Sequence, residues 1–314
     1  MPRALLLGAS SQIGLDLLRR PPVGWSFEGA GRTDPRPWGA GLSRFHLVDL
    51  SDERAVRTLL GSTDSEVWIN LARQGEEPFP WPRADARAPP AGPNPTDPAW
   101  RVNAELPGWL AQEAKRRGRY LVHLSSDEVF DGSGGPYAEE DPPDLRSTTL
   151  SRVGYARGLG ESQVYESEGP RAILRVCRPY GARHPARPDW LERLWRDLSE
   201  GRAPPLSPPE LLTPTYVPDV TLVLGALLER RPSRLYHVAS PELIPSAGIA
   251  RALQVESGRE PLGLAAPLEP GIEPMRWGLR IREVHKLDVR PLSFREGLRS
   301  LFGGPAGPVR STPR

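Results

Sequence analysis

The chain reads as an α/β protein, a doubly wound parallel sheet with a smaller C-terminal lobe, and two observations carry that reading. Short apolar runs of strand length alternate with amphipathic stretches through the first half of its 314 residues. The first run, Ala4-Leu5-Leu6-Leu7, ends in the turn Gly8-Ala9-Ser10-Ser11-Gln12-Ile13-Gly14 and passes at once into a helix opened by Leu15, Leu17 and Leu18. The length suits one large domain or two interleaved lobes with a sizeable core. We place the first domain at 1–181, a lobe interleaved with late sheet strands at 182–302, and a tail of disordered composition at 303–314.

Composition excludes several classes. The net charge is +2 with both signs dispersed, so no basic stripe argues for nucleic acid or an anionic membrane. The lone Cys177 lies in an apolar run and rules out an internal disulfide. Lys115 and Lys286 are the only lysines, and arginine carries the rest of the positive charge. Five scattered histidines show no metal-ligand spacing, so no metal is expected. No signal peptide is seen and no apolar run approaches the roughly 20 residues of a membrane span, so a soluble, cytoplasmic protein is expected.

Strand, glycine turn and helix form the opening that sets a pyrophosphate on a helix N-terminus. Gly8 permits the tight turn, Gly14 permits close helix–strand packing, and Ser11 stands where a middle glycine is usual. A second strand, Trp25 to Gly31, ends in Gly31-Arg32-Thr33. An acid at that point would grip an NAD ribose, whereas Arg32 favours the 2′-phosphate of NADP(H). A third strand, Phe45 to Val48, ends at Asp49-Leu50, with Asp52 capping the next helix. The fourth, Val67 to Ala72, ends beneath the cofactor. Residues 73–98 are too proline-rich for helix or inner strand and adjoin the same place, as a lid or partner surface would. A helix then runs from about Trp100 to Arg117, with Val102, Leu106, Leu110 and Ala114 on one face.

The chain is organised around residues 121–161. A buried strand (Leu121, Val122, Leu124) delivers Ser125, Ser126 and Asp127, and a helix comes after it with Ser147, Thr148 or Thr149 as its cap. A sixth strand, Arg171 to Cys177, leads to Arg178-Pro179-Tyr180-Gly181. Helices near 190–200 and from Asp219 through Leu228, a strand at Leu235–Ala239 and a closing helix around Leu298–Leu301 complete the reading.

Together these segments resemble the extended short-chain dehydrogenase/reductase superfamily, closest to the dTDP-4-dehydrorhamnose reductases. The carriers are GASSQIG (8–14), DLSD (49–52), INLA (69–72), RVN (101–103), LVHLSSDEVFDG (121–132), PYAEEDPP (136–143), GxxRGLGE (154–161), LRVCRPYG (174–181), TPTYVPD (213–219) and LYHVAS (235–240). The resemblance covers roughly residues 3 to 302. It implies a Rossmann-like fold, a nicotinamide cofactor and a nucleotide-sugar lobe. Its cofactor-binding residues would be Gly8, Ser10, Ser11, Gln12, Ile13, Gly14, Arg32, Asp49, Leu50, Leu71, Ala72, Asn103 and Arg157. Its substrate-binding residues would be Ser126, Asp127, Glu128 and Arg178. A homodimer and a protein partner belong to the same expectation.

The departures lie at the centre. In the family a Tyr donates the proton, a Ser or Thr orients the carbonyl, and a Lys four residues after the Tyr holds the ribose and lowers the Tyr pKa. Ser126 keeps the hydroxyl position. Aligning on Gly160-Glu161 puts Val153 at the tyrosine and Arg157 at the lysine. Tyr155 lies two residues on, roughly 200° around the helix from Val153. A guanidinium charged at all accessible pH shuttles protons poorly. The catalytic set is therefore Ser126 with Arg157, and Tyr155 if the helix register shifts. Glu128 and Arg178 replace aromatics where relatives hold sugar, and they are expected to pair or to bind a different polar ligand. Three readings stay open: an NADP(H)-binding sensor or regulatory partner with little reductase activity, an active NADPH-dependent reductase of a 4-keto nucleotide sugar with a rebuilt proton donor, and a scaffold with an empty site.

Overall fold

The computed structural model describes residues 1–75, 94–202, 210–258 and 274–303. Seven parallel strands make the central sheet: β1 (Arg3–Leu7), β2 (Ser26–Gly31), β3 (Arg44–Leu47), β4 (Val67–Asn70), β5 (Tyr120–Ser126), β6 (Arg171–Val176) and β8 (Arg234–Val238). Their order is β3-β2-β1-β4-β5-β6-β8. The chain winds outward from β1 in one direction, then returns and winds the other way from β4. That reversal leaves a crevice at the carboxyl ends of β1 and β4.

Helices cover both faces because the inner strands are apolar on both sides. Ala4, Leu6, Ile69, Val122, Leu174 and Val176 pack on α1 (Gln12–Arg19) and α7 (Val217–Arg230). Leu5, Leu7, Trp68, Leu121 and Ile173 face the other layer: α2 (Glu53–Ser62), α4 (Leu106–Arg117) and α5 (Arg152–Glu166). Asp52 caps α2 by accepting from Arg54 N and Ala55 N.

A second apolar cluster forms the smaller lobe. It gathers α6 (Trp190–Ser199), α8 (Ser246–Glu256) and α9 (Phe294–Phe302) with Phe130, Tyr180 and Trp277. Beside it lies a three-stranded sheet, β10-β7-β9, of β7 (Glu210–Leu212), β9 (Ile244–Pro245) and β10 (Met275–Arg276). The sequence reading contains neither these strands, whose two or three residues are too few to show a period, nor α8. The lobe is not a separate stretch of chain, since β8 joins the main sheet beside β6.

Two expected boundaries change. The helix expected over 100–117 opens as α3 (Pro98–Trp100), widens into a π-turn over Arg101–Glu105, and becomes α4 only at Leu106. Pro107 has no N–H to give the Asn103 carbonyl, so the regular ladder cannot run through. The cap of α5 is Ser151, whose side chain accepts from Gly154 N. Ser147 instead donates to Asp131 Oδ2 at 2.7 Å. The lid reading for 73–98 falls mostly on residues 76–93, and the tail reading on 304–314, both outside the described residues. Among the described residues no helix is long and apolar enough to cross a membrane.

Gly160 fixes how closely α5 approaches the π-turn. A Cβ there would overlap the Asn103 carbonyl oxygen and lie 2.8 Å from Pro107 Cγ. Gly160→Ala should therefore destabilise the fold by roughly 1–3 kcal/mol, read as a lower urea midpoint.

Candidate functional site

One cavity of about 590 Å³ runs along the carboxyl ends of the strands, from β2 past β1 and β4 to β6. At its middle lies the turn after β1. Gly8 has φ of +79°, and a Cβ on it would sit 2.8 Å from the Ala72 amide nitrogen, so only glycine lets the two strand ends meet. Ser11 caps α1 by accepting from Gly14 N at 3.0 Å, which gives the serine at the middle-glycine position a structural task. Ser10, Ser11, Gln12 and Ile13 line the cavity at the positive end of the helix dipole. Gly14 lies just behind, with no room for a Cβ against the Ala9 carbonyl oxygen, 2.7 Å away.

Arg32 and Asp49 line one end of the cavity, with Gly31, Thr33 and Leu50. Asp49 accepts from Ser51 N at 2.9 Å and Ser51 Oγ at 2.8 Å. These bonds, with the nearby Arg32 and Arg101, hold its carboxyl below the usual range. Glu28 turns away from this end, with His46 Nε2 2.8 Å from its Oε2.

Leu71, Ala72, Arg73, Gln74 and Gly75 continue from β4 along the cavity. Asn103 pins this stretch: its Nδ2 donates to Gln74 O at 2.6 Å and its Oδ1 accepts from Gln74 N at 3.1 Å.

The far end holds Ser126, Asp127, Glu128, Arg157 and Arg178. Arg157 Nη1 donates to Ser126 Oγ at 3.1 Å and is ion-paired with Glu128. Ser126 Oγ lies 3.1 Å from Glu128 Oε2. Serine, carboxylate and guanidinium thus close on one another, each under a tenth exposed. Gly154 lets α5 reach this point, because a Cβ there would overlap the Glu128 carbonyl oxygen.

Both residues expected to pair, Glu128 and Arg178, face an opposite charge. Glu128 takes Arg157, and Arg178 Nη2 lies 3.5 Å from Glu210 Oε2. Arg178 sits at φ of +43°, in the left-handed region, its carbonyl accepting from Trp190 Nε1 at 2.9 Å. Tyr155 is not among the cavity residues. It packs beside Trp100, ring centroids 6.3 Å apart, on the side of α5 turned from Arg157. The helix keeps its register, so Tyr155 is not brought to Ser126. Val153 packs behind Gly75, a cavity residue, and is not itself among the lining residues.

A buried polar row supports this centre. Ser125, Arg175 and His237 stand in register on β5, β6 and β8. Glu161, one turn beyond Arg157 on α5, accepts from Ser125 Oγ at 2.5 Å and from Arg175 Nη2 at 2.6 Å. Arg175 also lies over the Phe130 ring at 4.8 Å and reaches His237 Nε2 at 3.3 Å. His123 Nδ1 lies 3.2 Å from Asn70 Nδ2. Burial pulls the pKa of His123 down to about 4 and that of His237 to about 3, the latter helped by Arg175.

The sequence reading missed Arg73, His123, Arg187, Trp190 and Arg193 as cavity residues. A usable signal existed for some of them, since loops after parallel strands end at the carboxyl edge of the sheet.

A family model described as "RmlD substrate binding domain" matches residues 2–302. Methionine adenosyltransferase 2 subunit beta of Bos taurus is 28% identical over 231 residues, covering 73% of this chain. The chain spans only 63% of that relative's length. Spore coat polysaccharide biosynthesis protein SpsK of Bacillus subtilis is 25% identical over 309 residues, covering 95% of this chain and 96% of that one. Among solved structures, dTDP-4-dehydrorhamnose reductase of Bacillus anthracis in complex with NADP superposes with a TM-score of 0.73 at 19% identity, covering 96% and 98% of the two chains. WbmG of Bordetella bronchiseptica in complex with NAD gives 0.73 at 16%, covering 96% and 93%. These likenesses show a shared fold.

Arg175→Met alone strands a buried carboxylate and should cost roughly 3–5 kcal/mol, while adding Glu161→Leu should recover most of it, by urea denaturation. The depressed pKa of His123 contributes stability that is complete above the ordinary 6.5 and is lost as pH falls toward and through about 4. His123→Gln should flatten that acid limb of the urea midpoint.

Proposed function

Because the chain belongs to the RmlD substrate binding domain family, we propose that its cavity holds a nicotinamide dinucleotide, NADP(H) in preference to NAD(H), beside a nucleotide-sugar-like ligand. It does so with little or no reductase turnover, in a sensing or regulatory role. The observation that carries this reading is the closed Ser126–Glu128–Arg157 cluster beside an intact glycine turn.

The cavity residues fit such a group. The turn at Gly8 and the N-terminus of α1 suit a pyrophosphate, Arg32 suits a 2′-phosphate, and Asp49 suits the adenine amino group. Structural relatives that carry NADP and NAD support the class of cofactor. Bound there, a nicotinamide supplies hydride chemistry. The chain's own residues restrict the proton transfer that a carbonyl reduction also needs. Ser126 is positioned to hydrogen-bond a carbonyl, but its neighbours are a permanently charged guanidinium and the carboxylate paired with it. Neither has a proton to release readily. Arg157 keeps a hydrogen-bonding role toward a ribose. The relatives whose name makes them a subunit support a role exercised through a partner.

Val153→Tyr with Arg157→Lys should raise NADPH-dependent reduction of a 4-keto nucleotide sugar by about 10²-fold or more over the unchanged chain. Brisk turnover by the unchanged chain would contradict the reading. Arg32→Ala should weaken NADPH roughly tenfold and NADH little, by calorimetry. Equal affinities of the unchanged chain for the two would sink the NADP(H) preference.

A further inference from the structure

The turn between β6 and α6 crosses from the smaller lobe onto the glycine turn. His184 Nε2 lies 3.1 Å from the Ser10 carbonyl oxygen, and Arg187 Nη2 donates to Ser10 Oγ at 3.3 Å. Gln12 Nε2 donates back to the Arg187 carbonyl at 3.3 Å, and Arg19 Nη1 to the Arg183 carbonyl at 3.1 Å. Four contacts therefore tie this segment to Ser10 and to both ends of α1. Ala186, Arg187 and Pro188 line the same cavity as Gly8 and Ser11.

We propose that residues 183–188 form a strap over the dinucleotide turn, in which Arg187 binds the pyrophosphate and His184 is the latch that seats it. The proposal rests on the dinucleotide reading above and adds a binding residue from the other lobe. Charge argues for it. The first turn of α1 carries no acidic residue, and its N-terminus is the positive end of a helix dipole. The strap brings a guanidinium to that same point, an exposed one whose bond to Ser10 leaves it facing the cavity. Two positive groups converging without an acid between them are relieved by a doubly charged anion, and a guanidinium is suited to phosphate oxygens.

The latch is set by the imidazole's neighbours. His184 Nδ1 accepts from Ala186 N at 3.1 Å and Arg187 N at 3.0 Å. The proton must then sit on Nε2, which donates to Ser10 O. The ring is 5% exposed, with Trp38 packed edge-on at 4.8 Å. The charged groups that face it are Arg19 from α1 and Arg187 from the strap itself. Burial, opposed by the Ser10 carbonyl and reinforced by these two cations, holds its pKa below the ordinary 6.5. A second proton would go onto Nδ1, against two amide donors, and would unseat the strap. The strap is therefore complete above pH 6.5 and is lost as pH falls through the depressed value.

The test is calorimetric titration of the full chain with NADPH, and with 2′-AMP as a probe lacking the pyrophosphate, between about pH 5 and pH 8. Arg187→Ala, an exposed change, should weaken NADPH roughly tenfold and leave 2′-AMP unchanged. The unchanged chain should lose NADPH affinity in acid more steeply than His184→Gln, which keeps a donor for Ser10 and does not titrate; comparing the two at each pH cancels the ligand's own protonation. NADPH binding by Arg187→Ala within about a factor of two of the unchanged chain would overturn the phosphate role. Identical pH profiles would overturn the latch. No NADPH binding by the unchanged chain would overturn the strap together with the dinucleotide reading.

Discussion

The Arg157–Glu128 ion pair, with Ser126 held between its partners, is the contact on which the character of this cavity depends. A buried charge is tolerated only when paired and hydrogen-bonded, and each member here answers the others. Replacing Arg157 alone would strand Glu128, and replacing Glu128 alone would strand Arg157. Two of the departures from the reductase pattern are thus a single physical change: an arginine on α5 and a carboxylate after β5 that neutralise one another beside Ser126.

What places that pair is the sheet. Reversal of winding between β1 and β4 opens the crevice, and parallel strands send every connecting loop to the same edge. Helix α5 comes close enough to contribute because Gly154 and Gly160 present no Cβ to Glu128 and Asn103. Its next turn is anchored by Glu161 in the Ser125–Arg175–His237 row, so the ion pair at Arg157 rides on a second one buried deeper. The smaller lobe meets the same edge through Arg178 and through the strap at His184.

Much of this was legible in the sequence. Apolar runs of strand length separated by helical periods locate the sheet, and a glycine turn between the first strand and helix locates the crevice. The helical angle between Val153 and Tyr155 already separates Tyr155 from the centre, and the structure sets it against Trp100. Other features were not legible, for definable reasons. The strands β7, β9 and β10 are too short to carry a pattern. That Glu128 meets Arg157 and that Glu210 lies beside Arg178 are contacts between segments far apart in the chain, which no local pattern displays. Arg187 lies in a proline-flanked turn whose destination is set by a contact with Ser10, at the other end of the domain.

The cavity is proposed to keep a dinucleotide site beside a centre closed on itself. Calorimetric titration of the unchanged chain with NADPH tests it most directly. A saturable one-site isotherm is the predicted result, and it makes the glycine turn a working phosphate site. Absence of saturable heat with NADPH, and likewise with NADH, would contradict the claim and leave the fold as a scaffold.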